Sequence, residues 1–230
     1  MLEHHHILQL KNNVWYSKLP SHFQTYIIEN SKLLHFSKGQ MIFQSGDIFD
    51  GIYAVIEGSV HLGYINIEGR ESLVAIADPI MWFGEISLID HLPRSHNATA
   101  IEKSIVLKIN QKAIEQLIID YPEFWFHIAQ LTSQKLRYAF AEIISYQTFP
   151  FQQRLAQRLI FILNGYGNHL TIEHNTIHLS QEQLAHMMVC SRQTINLELQ
   201  QMEKLNVLKV AFKKIEILDL EKLKDIADPN

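Results

Sequence analysis

Hydrophobic positions change their spacing twice along the chain, and the changes separate stretches of different secondary structure. Residues 1–30 carry apolar side chains at mixed helical spacing, so helices are predicted there. From Leu33 to Ile109, short runs rich in Ile, Val, Phe and Tyr are separated by glycines, and seven of the nine glycines of the chain lie in this stretch. Short strands separated by glycine turns are typical of an all-β barrel or sandwich.

Two hairpins are predicted within this glycine-punctuated region. Ile52–Ile56 and Ser59–Ile65 flank the dipeptide Glu57-Gly58 and read as the first hairpin. A second pair of strands flanks the turn from Ile67 to Arg70. Glycine then disappears between Gln111 and Gly165, which indicates that helix replaces strand.

The longest helix is predicted from Pro122, a first-turn proline, to about Tyr146. One face carries apolar or small residues at alternating spacings of four and three, the pattern of a coiled-coil seam. These residues are Ala129, Ser133, Leu136, Phe140 and Ile143. We expect this face to pack on a second copy of the chain; the alternative is a helix buried within its own monomer. Pro150 marks the break after it, so the expected domains are 1–120, 121–148 and 149–230.

The segment from Leu179 to Met202 has the pattern of two short helices joined by a turn. Ser180 and Gln183 form the capping box that starts the first helix. Val189-Cys190-Ser191 interrupts the pattern, and Ser191 can cap a second helix. This arrangement predicts a helix-turn-helix, whereas the bland alternative is a helical hairpin with a polar face.

Base reading requires exposed hydrogen-bonding side chains at the start of the second helix. The candidates are Ser191, Arg192, Gln193, Thr194 and Asn196. Arginine suits guanine, and the two amides suit adenine. Ser180 lies at the start of the first helix, and a helix N-terminus also attracts phosphate. Val207–Val210 and Ile215–Leu218 read as a hairpin behind the two helices, a wing whose lysines, Lys213 above all, would touch the DNA backbone.

Composition and charge exclude more than they identify. The net charge is −4, with the acidic excess confined to residues 1–149, so charge neither supports nor excludes DNA binding. One cysteine, Cys190, excludes an internal disulfide and an iron–sulfur cluster. The scattered histidines, such as His169, His174 and His178, predict no metal site, and whether His4–His6 are native is left open. We expect a cytoplasmic protein without a membrane span, and no enzyme, because no P-loop or nucleophile motif is present.

Two stretches of the helix-turn-helix carry a resemblance to a known family. Leu-Ser-Gln-Glu-Gln-Leu-Ala from Leu179 and Cys-Ser-Arg-Gln-Thr-Ile from Cys190 closely resemble the DNA-binding motif of the cyclic-AMP receptor protein/Fnr superfamily. The resemblance covers nearly the whole chain and implies an α+β protein. Its parts would be an N-terminal cyclic-nucleotide-binding-like β-roll of jelly-roll type, a long dimerisation helix and a C-terminal winged helix-turn-helix. It further implies a homodimer on a palindromic operator in double-stranded DNA, with RNA polymerase as a second partner.

The same resemblance extends to an effector site. Phe83–Leu88 and the following Pro93-Arg94-Ser95 look like the family's phosphate-binding cassette. The implied effector contacts are Gly84, Glu85, Ile86, Ser87, Arg94 and Ser95. Arg94 and Ser95 would hold a phosphate, and Glu85 would accept hydrogen bonds from a ribose hydroxyl. Cyclic AMP or another cyclic nucleotide is therefore an expected effector.

Several positions depart from the family pattern. In the cassette region, His96 replaces a small alanine and Ile80 replaces a glycine, and on the long helix Ala139-Phe140 replaces the pair that contacts adenine. A pocket for another effector, or for none, therefore stays open, and Arg94 would in that case pair with a carboxylate. A nucleotide-binding module acting through protein partners is the alternative function.

The DNA-binding motif departs from the pattern as well. Gln193 stands in place of a glutamate and Leu197 in place of an arginine, so we expect a different half-site. Val189 stands where glycine is common in the turn. Because a β-branched residue disfavours positive φ, a slightly different turn is expected.

Overall fold

A computed structural model describes residues 2–65, 68, 71–169 and 175–228. His174 lies outside these residues, as does most of the predicted turn from Ile67 to Arg70. The chain divides into two units, residues 1–136 with 167–170 and residues 137–166 with 171–230. The domain limits expected at 120 and 148 remain predictions.

The helices expected in residues 1–30 are confirmed. They are α1 (His4–Lys11), α2 (Val14–Ser17) and α3 (Ser21–Glu29). Asn13 caps α2 by accepting a hydrogen bond from the backbone of Tyr16 at 2.8 Å. Leu10, Tyr16 and Ile27 are wholly buried in the core shared with the strands of the first unit. Apolar burial therefore fixes these short helices on the sheets.

Eight strands form two four-stranded antiparallel sheets, which confirms the expected β-roll. The strands are β1 (Ser31–Phe36), β2 (Met41–Phe43), β3 (Gly51–Glu57), β4 (Val60–Ile65), β5 (Glu71–Ala77), β6 (Trp82–Phe83), β7 (Asn97–Ala100) and β8 (Ser104–Asn110). Their orders are β1-β8-β3-β6 and β2-β7-β4-β5. The short helix α4 (Ile86–Asp90) lies between β6 and β7.

One of the two predicted hairpins is wrong. β3 pairs with β6 and β8, whereas β4 pairs with β5 and β7, so the strands on either side of Glu57-Gly58 belong to different sheets. Gly58 has φ +76°, and a Cβ there would lie 2.5 Å from the carbonyl oxygen of Lys103. The turn therefore carries the chain from one sheet to the other. The second hairpin is confirmed by the pairing of Tyr64 with Ser72.

Helices α5 (Gln111–Asp120) and α6 (Phe124–Thr148) follow the roll. Pro122 lies in the turn that leads into α6, where its carbonyl accepts the N–H of Trp125 at 3.2 Å. Phe124, Ile128 and Leu131 of α6 are buried. All five residues of the predicted seam are exposed, so the seam face of α6 is not covered by its own chain.

The second unit contains the remaining elements. They are α7 (Phe151–Leu163), β9 (Thr176–Ile177), α8 (Gln181–Met188), α9 (Arg192–Lys204), β10 (Leu208–Ala211), β11 (Lys214–Ile217) and α10 (Leu220–Ala227), with a short 3₁₀ turn at Gly165–Gly167. The strands form one antiparallel sheet in the order β10-β11-β9. Helix α10 was not predicted, and Gln153 of α7 donates to the carbonyl of Ala227 at 3.0 Å to hold its end. This unit is a winged helix-turn-helix, as expected.

The C-terminal half of α6 is fastened to the helices of the second unit. The hydroxyl of Tyr146 donates to the carbonyl of Met187 in α8 at 2.8 Å. Arg158 of α7 forms an ion pair with Glu142 of α6. Burial raises the pKa of Glu142, and the charges of Arg158 and Arg154 act against that rise. The first contact ties this half of α6 to the helix-turn-helix, and the second ties it to α7.

Candidate DNA interface and effector site

The first helix of the helix-turn-helix begins with the predicted capping box. The hydroxyl of Ser180 accepts the N–H of Gln183 at 3.1 Å, and the side chain of Gln183 accepts the N–H of Ser180 at 2.9 Å. Leu184 and Met188 lie on the buried face of α8. The reciprocal cap fixes the start of α8 and places Ser180 at a helix N-terminus.

The turn between the two helices corrects one expectation. Val189 has φ 51° and ψ 50°, the left-handed conformation, so the valine does not produce a different turn. The N–H of Cys190 reaches the carbonyl of Ala185 at 3.0 Å, and buried residues on both sides fix the path. The surrounding packing thus holds a β-branched residue where it is disfavoured. Its side chain is 83% exposed.

Helix α9 presents its N-terminal side chains to solvent. The hydroxyl of Ser191 accepts the N–H of Thr194 at 3.1 Å and lies 2.9 Å from the hydroxyl of Thr194, so both groups serve the cap. Arg192 and Gln193 are exposed. Asn196 is half-buried and accepts a hydrogen bond from Gln181 of α8 at 3.3 Å. Of the predicted base-reading residues, Arg192 and Gln193 are therefore the exposed ones whose side chains take no part in the cap.

The wing is tighter than predicted. Ala211 pairs with Lys214, so only Phe212 and Lys213 form the turn between β10 and β11. Lys213 has φ 52°, which closes a two-residue turn, and Phe212 at the tip is 89% exposed. Ser180, Arg192 and Lys213 line one groove of about 510 Å³, together with Phe212. This groove brings together three predicted DNA-binding residues from α8, α9 and the wing; Ser191, Gln193, Thr194 and Asn196 lie outside it.

In the first unit, the candidate phosphate-binding arginine is buried. Arg94 is 3% exposed, and its guanidinium donates to the carbonyl of Gly84 at 2.7 Å, the carbonyl of Gly51 at 2.7 Å and the carboxylate of Asp50 at 2.6 Å. Gly84 has φ +91°, and a Cβ there would lie 2.9 Å from the guanidinium. The arginine therefore pairs with a carboxylate, as expected for a pocket without a cyclic nucleotide. The face of Phe43 lies 4.4 Å from it.

Asp50 is the centre of this cluster. Burial raises the pKa of Asp50, but hydrogen bonds from Lys108, Tyr53 and Arg94 outweigh that effect and hold the pKa below its ordinary value. The hydroxyl of Tyr53 donates at 2.7 Å. Burial and the neighbouring carboxylate raise the pKa of Tyr53 far above its usual range. Asp50 is thus ionised at neutral pH and balances Arg94.

The other predicted effector residues lie on α4 or beside it. Glu85 is 1% exposed and forms an ion pair with Lys135 of α6 at 2.5 Å. Ser87 is buried, Ile86 is 38% exposed, and the exposed Ser95 bonds through its hydroxyl to His96 at 2.9 Å. Burial lowers the pKa of His96, with a further contribution from the charge of Lys135. His96 is therefore neutral at pH 7.

Three polar atoms of this cluster are buried and lack a hydrogen-bond partner within the described part of the chain. They are Glu85 Oε1, Arg94 Nε and His96 Nε2. A buried polar atom without a partner is costly, so native structures rarely leave several together. The cluster thus retains one acceptor and two nitrogens that a small polar molecule could satisfy.

Two family models cover most of the chain. Residues 33–121 match the cyclic nucleotide-binding domain, and residues 153–226 match the Crp-like helix-turn-helix domain. The chain is 28% identical over 192 residues to a CRP-like cAMP-activated global transcriptional regulator of Mycobacterium tuberculosis, covering 82% of this chain and 84% of the relative. The chain belongs to the Crp/Fnr superfamily.

Other Crp/Fnr relatives agree. The cyclic AMP receptor protein of Thermus thermophilus is 28% identical over 193 residues, which cover 84% of this chain and 86% of that protein. The structure of FixK2 from Bradyrhizobium japonicum shares the fold, with a TM-score of 0.74 at 16% identity over 85% of this chain and 96% of that one. This Crp/Fnr protein is a transcription regulator that binds DNA, and the predicted family, fold class and function are confirmed.

The candidate effector site has charged neighbours that sequence reasoning missed. Asp50, Lys108 and Lys135 surround the predicted site, and none of them lies in a local motif. Asp50 is 44 residues from Arg94, and Lys135 is 50 residues from Glu85. Only the registers of the sheets and of α6 bring these partners together.

One group of side chains elsewhere has ligand atoms close enough for a metal ion. His5, His6 and Glu57 offer atoms within 4.8 Å of one another. Nδ1 of His6, however, accepts the N–H of Glu3 at 3.2 Å, so the proton of the neutral ring is on Nε2. That nitrogen faces Glu57 at 3.5 Å, the position of a donor rather than of a metal ligand. No helix of the described residues is long and apolar enough to cross a membrane.

Proposed function

We propose that the protein is a homodimeric regulator whose two recognition helices, α9 of each copy, read a palindromic operator under the control of a small effector in the β-roll. The observation that carries the DNA-binding part is the groove shared by Ser180, Arg192 and Lys213, with Arg192 and Gln193 exposed at the start of α9. The groove brings a cation of α9 and a cation of the wing beside Gln181 and Glu182 of α8.

The DNA-binding residues divide by role. Arg192 suits guanine O6 and N7, and Gln193 suits adenine N6 and N7. Ser180 and Lys213 would contact phosphates on either side of the groove, because a helix N-terminus and a lysine both favour an anion. Ser191 and Thr194 are engaged in the cap, so their contribution is the orientation of the backbone N–H groups at the start of α9.

The seam face of α6 supports the dimer. Leu136, Phe140 and Ile143 are 54%, 56% and 52% exposed, which leaves a continuous apolar stripe on one helix. Pairing two such stripes would bury them, and a palindromic operator read by this dimer would have half-sites about one turn of DNA apart. RNA polymerase is the further partner that we propose for the DNA-bound dimer.

The effector class follows from the buried cluster. A cyclic nucleotide provides a phosphate that competes with Asp50 for Arg94 and a ribose hydroxyl that donates to Glu85 Oε1. The relative from Mycobacterium tuberculosis is named as cAMP-activated, which supports this class. A second candidate, an effector-independent regulator, is favoured by the two ion pairs Arg94–Asp50 and Glu85–Lys135, which already neutralise the cluster.

Binding-site selection on random duplex DNA tests the proposal, with the full chain alone, with cyclic AMP and with cyclic GMP. We expect a palindromic consensus whose enrichment rises with one of the nucleotides. Calorimetry with the same nucleotides compares wild type with Glu85→Gln, and Glu115→Gln on the surface of α5 is the matched control. A consensus that no nucleotide affects would favour the effector-independent regulator. The absence of any consensus would contradict sequence-specific binding.

A further inference from the structure

The outward face of α9 carries one apolar residue. Ile195 and Leu199 are wholly buried and define the inward face of the helix. Leu197 lies two residues from each, and two residues of an α-helix turn the side chain by about 200°. Leu197 therefore points away from the core, and it is 60% exposed.

Two exposed amides lie beside Leu197 on this face. Gln193 precedes it by four residues and Gln200 follows by three, and both are exposed. Residues at these spacings lie on the same side of a helix. The face thus presents an amide, a leucine and a second amide in order from the end where Arg192 lies.

We propose that Leu197 is a specificity-determining residue that reads the C5-methyl group of a thymine. The inference rests on the proposed function, in which α9 lies in the major groove. The thymine methyl is the distinctive apolar group that bases display there, and a leucine side chain has no donor or acceptor with which to read any other edge. Placed against cytosine or guanine, the leucine would remove water from polar groups without replacing their hydrogen bonds.

The position of the thymine follows from the helix rise. Leu197 is five residues from Arg192, which corresponds to about 7.5 Å along the axis. Successive base pairs are about 3.4 Å apart, so the thymine is expected within a few base pairs of the base that Arg192 contacts.

Replacing thymines by uracils tests this role, because uracil lacks only the methyl group. Operators from the selection are made with uracil at one thymine position of both half-sites, and affinities are measured for wild type and Leu197→Ala. For wild type, we expect one position at which uracil weakens binding by about fourfold in each half-site, the value of one buried methyl. Leu197→Ala should bind the thymine and uracil operators equally.

A matched control and a stability check complete the design. Leu205 is 56% exposed at the far end of the same helix, so Leu205→Ala should keep the wild-type preference for thymine. The thermal unfolding of Leu197→Ala should match that of wild type because the side chain is exposed. If wild type binds its operator but no uracil position separates it from Leu197→Ala, the role of Leu197 is overturned and the proposed function stands. If wild type selects no operator, both are overturned.

Discussion

Arg94 in the β-roll and Arg192 on α9 both stand where an anionic or electron-rich ligand is expected, yet their surroundings are opposite. Arg94 is 3% exposed, and its terminal nitrogens donate hydrogen bonds to Asp50 and two backbone carbonyls. Arg192 is exposed beside an open groove. An interior charge needs partners even when no ligand is bound, whereas a surface charge is solvated by water.

The contrast indicates two modes of recognition. In the roll, a ligand phosphate that took the terminal nitrogens of Arg94 would have to displace Asp50, so such binding would rearrange the cluster. At the DNA interface, phosphates and bases replace the water that solvates the exposed side chains. No partner within the protein is displaced. In a regulator, exchange of internal contacts suits an effector that changes the conformation. Addition of contacts suits a DNA-binding surface that keeps its own conformation.

The largest effect is expected from Arg94→Ala. Removing the guanidinium takes its hydrogen bonds from the buried carbonyls of Gly51 and Gly84 and one of three donors from Asp50, so the free energy of unfolding of the roll should fall by about 3 kcal/mol. All three tryptophans, Trp15, Trp82 and Trp125, lie in the first unit, so their fluorescence in urea follows this unit alone. The exposed neighbour Ser95→Ala is the control. An unchanged midpoint for Arg94→Ala would show that the internal contacts contribute little.

Arg192→Ala should give the reverse pattern. Loss of a bidentate contact to guanine costs about 1–3 kcal/mol in operator affinity and relaxes the preference at that base pair. Unfolding should not change, because the side chain is exposed. Fluorescence anisotropy on the operator and on a variant with that base pair exchanged measures both effects. Lys222→Ala on α10 controls for the loss of one positive charge. Equal weakening on both DNAs would reduce Arg192 to a phosphate contact.

The next effect in size comes from backbone strain at Val189, in the turn of the helix-turn-helix. The left-handed backbone conformation at φ 51° is unfavourable for Val189. Its side chain gains little stability from burial, because it is 83% exposed. Glycine has no such penalty, so Val189→Gly should be more stable than Val189→Ala by about 1 kcal/mol. Calorimetric melting of both variants measures the difference. Equal stabilities would mean that the turn relaxes out of the left-handed region when the valine is removed.

The same contrast explains which features the sequence could predict. The caps that define α8 and α9 join residues three apart, Ser180 with Gln183 and Ser191 with Thr194, so a local pattern contains them. The pairing of β3 and β4 is not local: their short connection is compatible with a hairpin or with a crossover between sheets. The positive φ at Gly58 fits the connection, but the choice is made by the registers with β7 and β8.

The effector cluster was predicted only in part for a related reason. Gly84, Glu85 and Arg94 lie in one recognisable stretch, and they do come together. Their partners Asp50 and Lys135 come from β-roll and helix positions with no motif of their own. The sequence therefore indicated Gly84, Glu85 and Arg94 but not Asp50 and Lys135, the residues that balance their charges. Because the charges are balanced without a ligand, an effector-independent regulator is the second candidate function.

The smallest effect is expected from Lys213→Ala at the tip of the wing. A phosphate contact carries no base information, so affinity should fall by a similar factor on every operator sequence, and the slope of log K against log salt should decrease by about 1. Lys224→Ala on α10 removes the same charge away from the groove and should leave the slope unchanged. Titrations at several salt concentrations measure the slopes. If the loss of affinity for Lys213→Ala instead depended on the operator sequence, the wing would lie in a groove of the DNA. Lys213 would then share base recognition with α9.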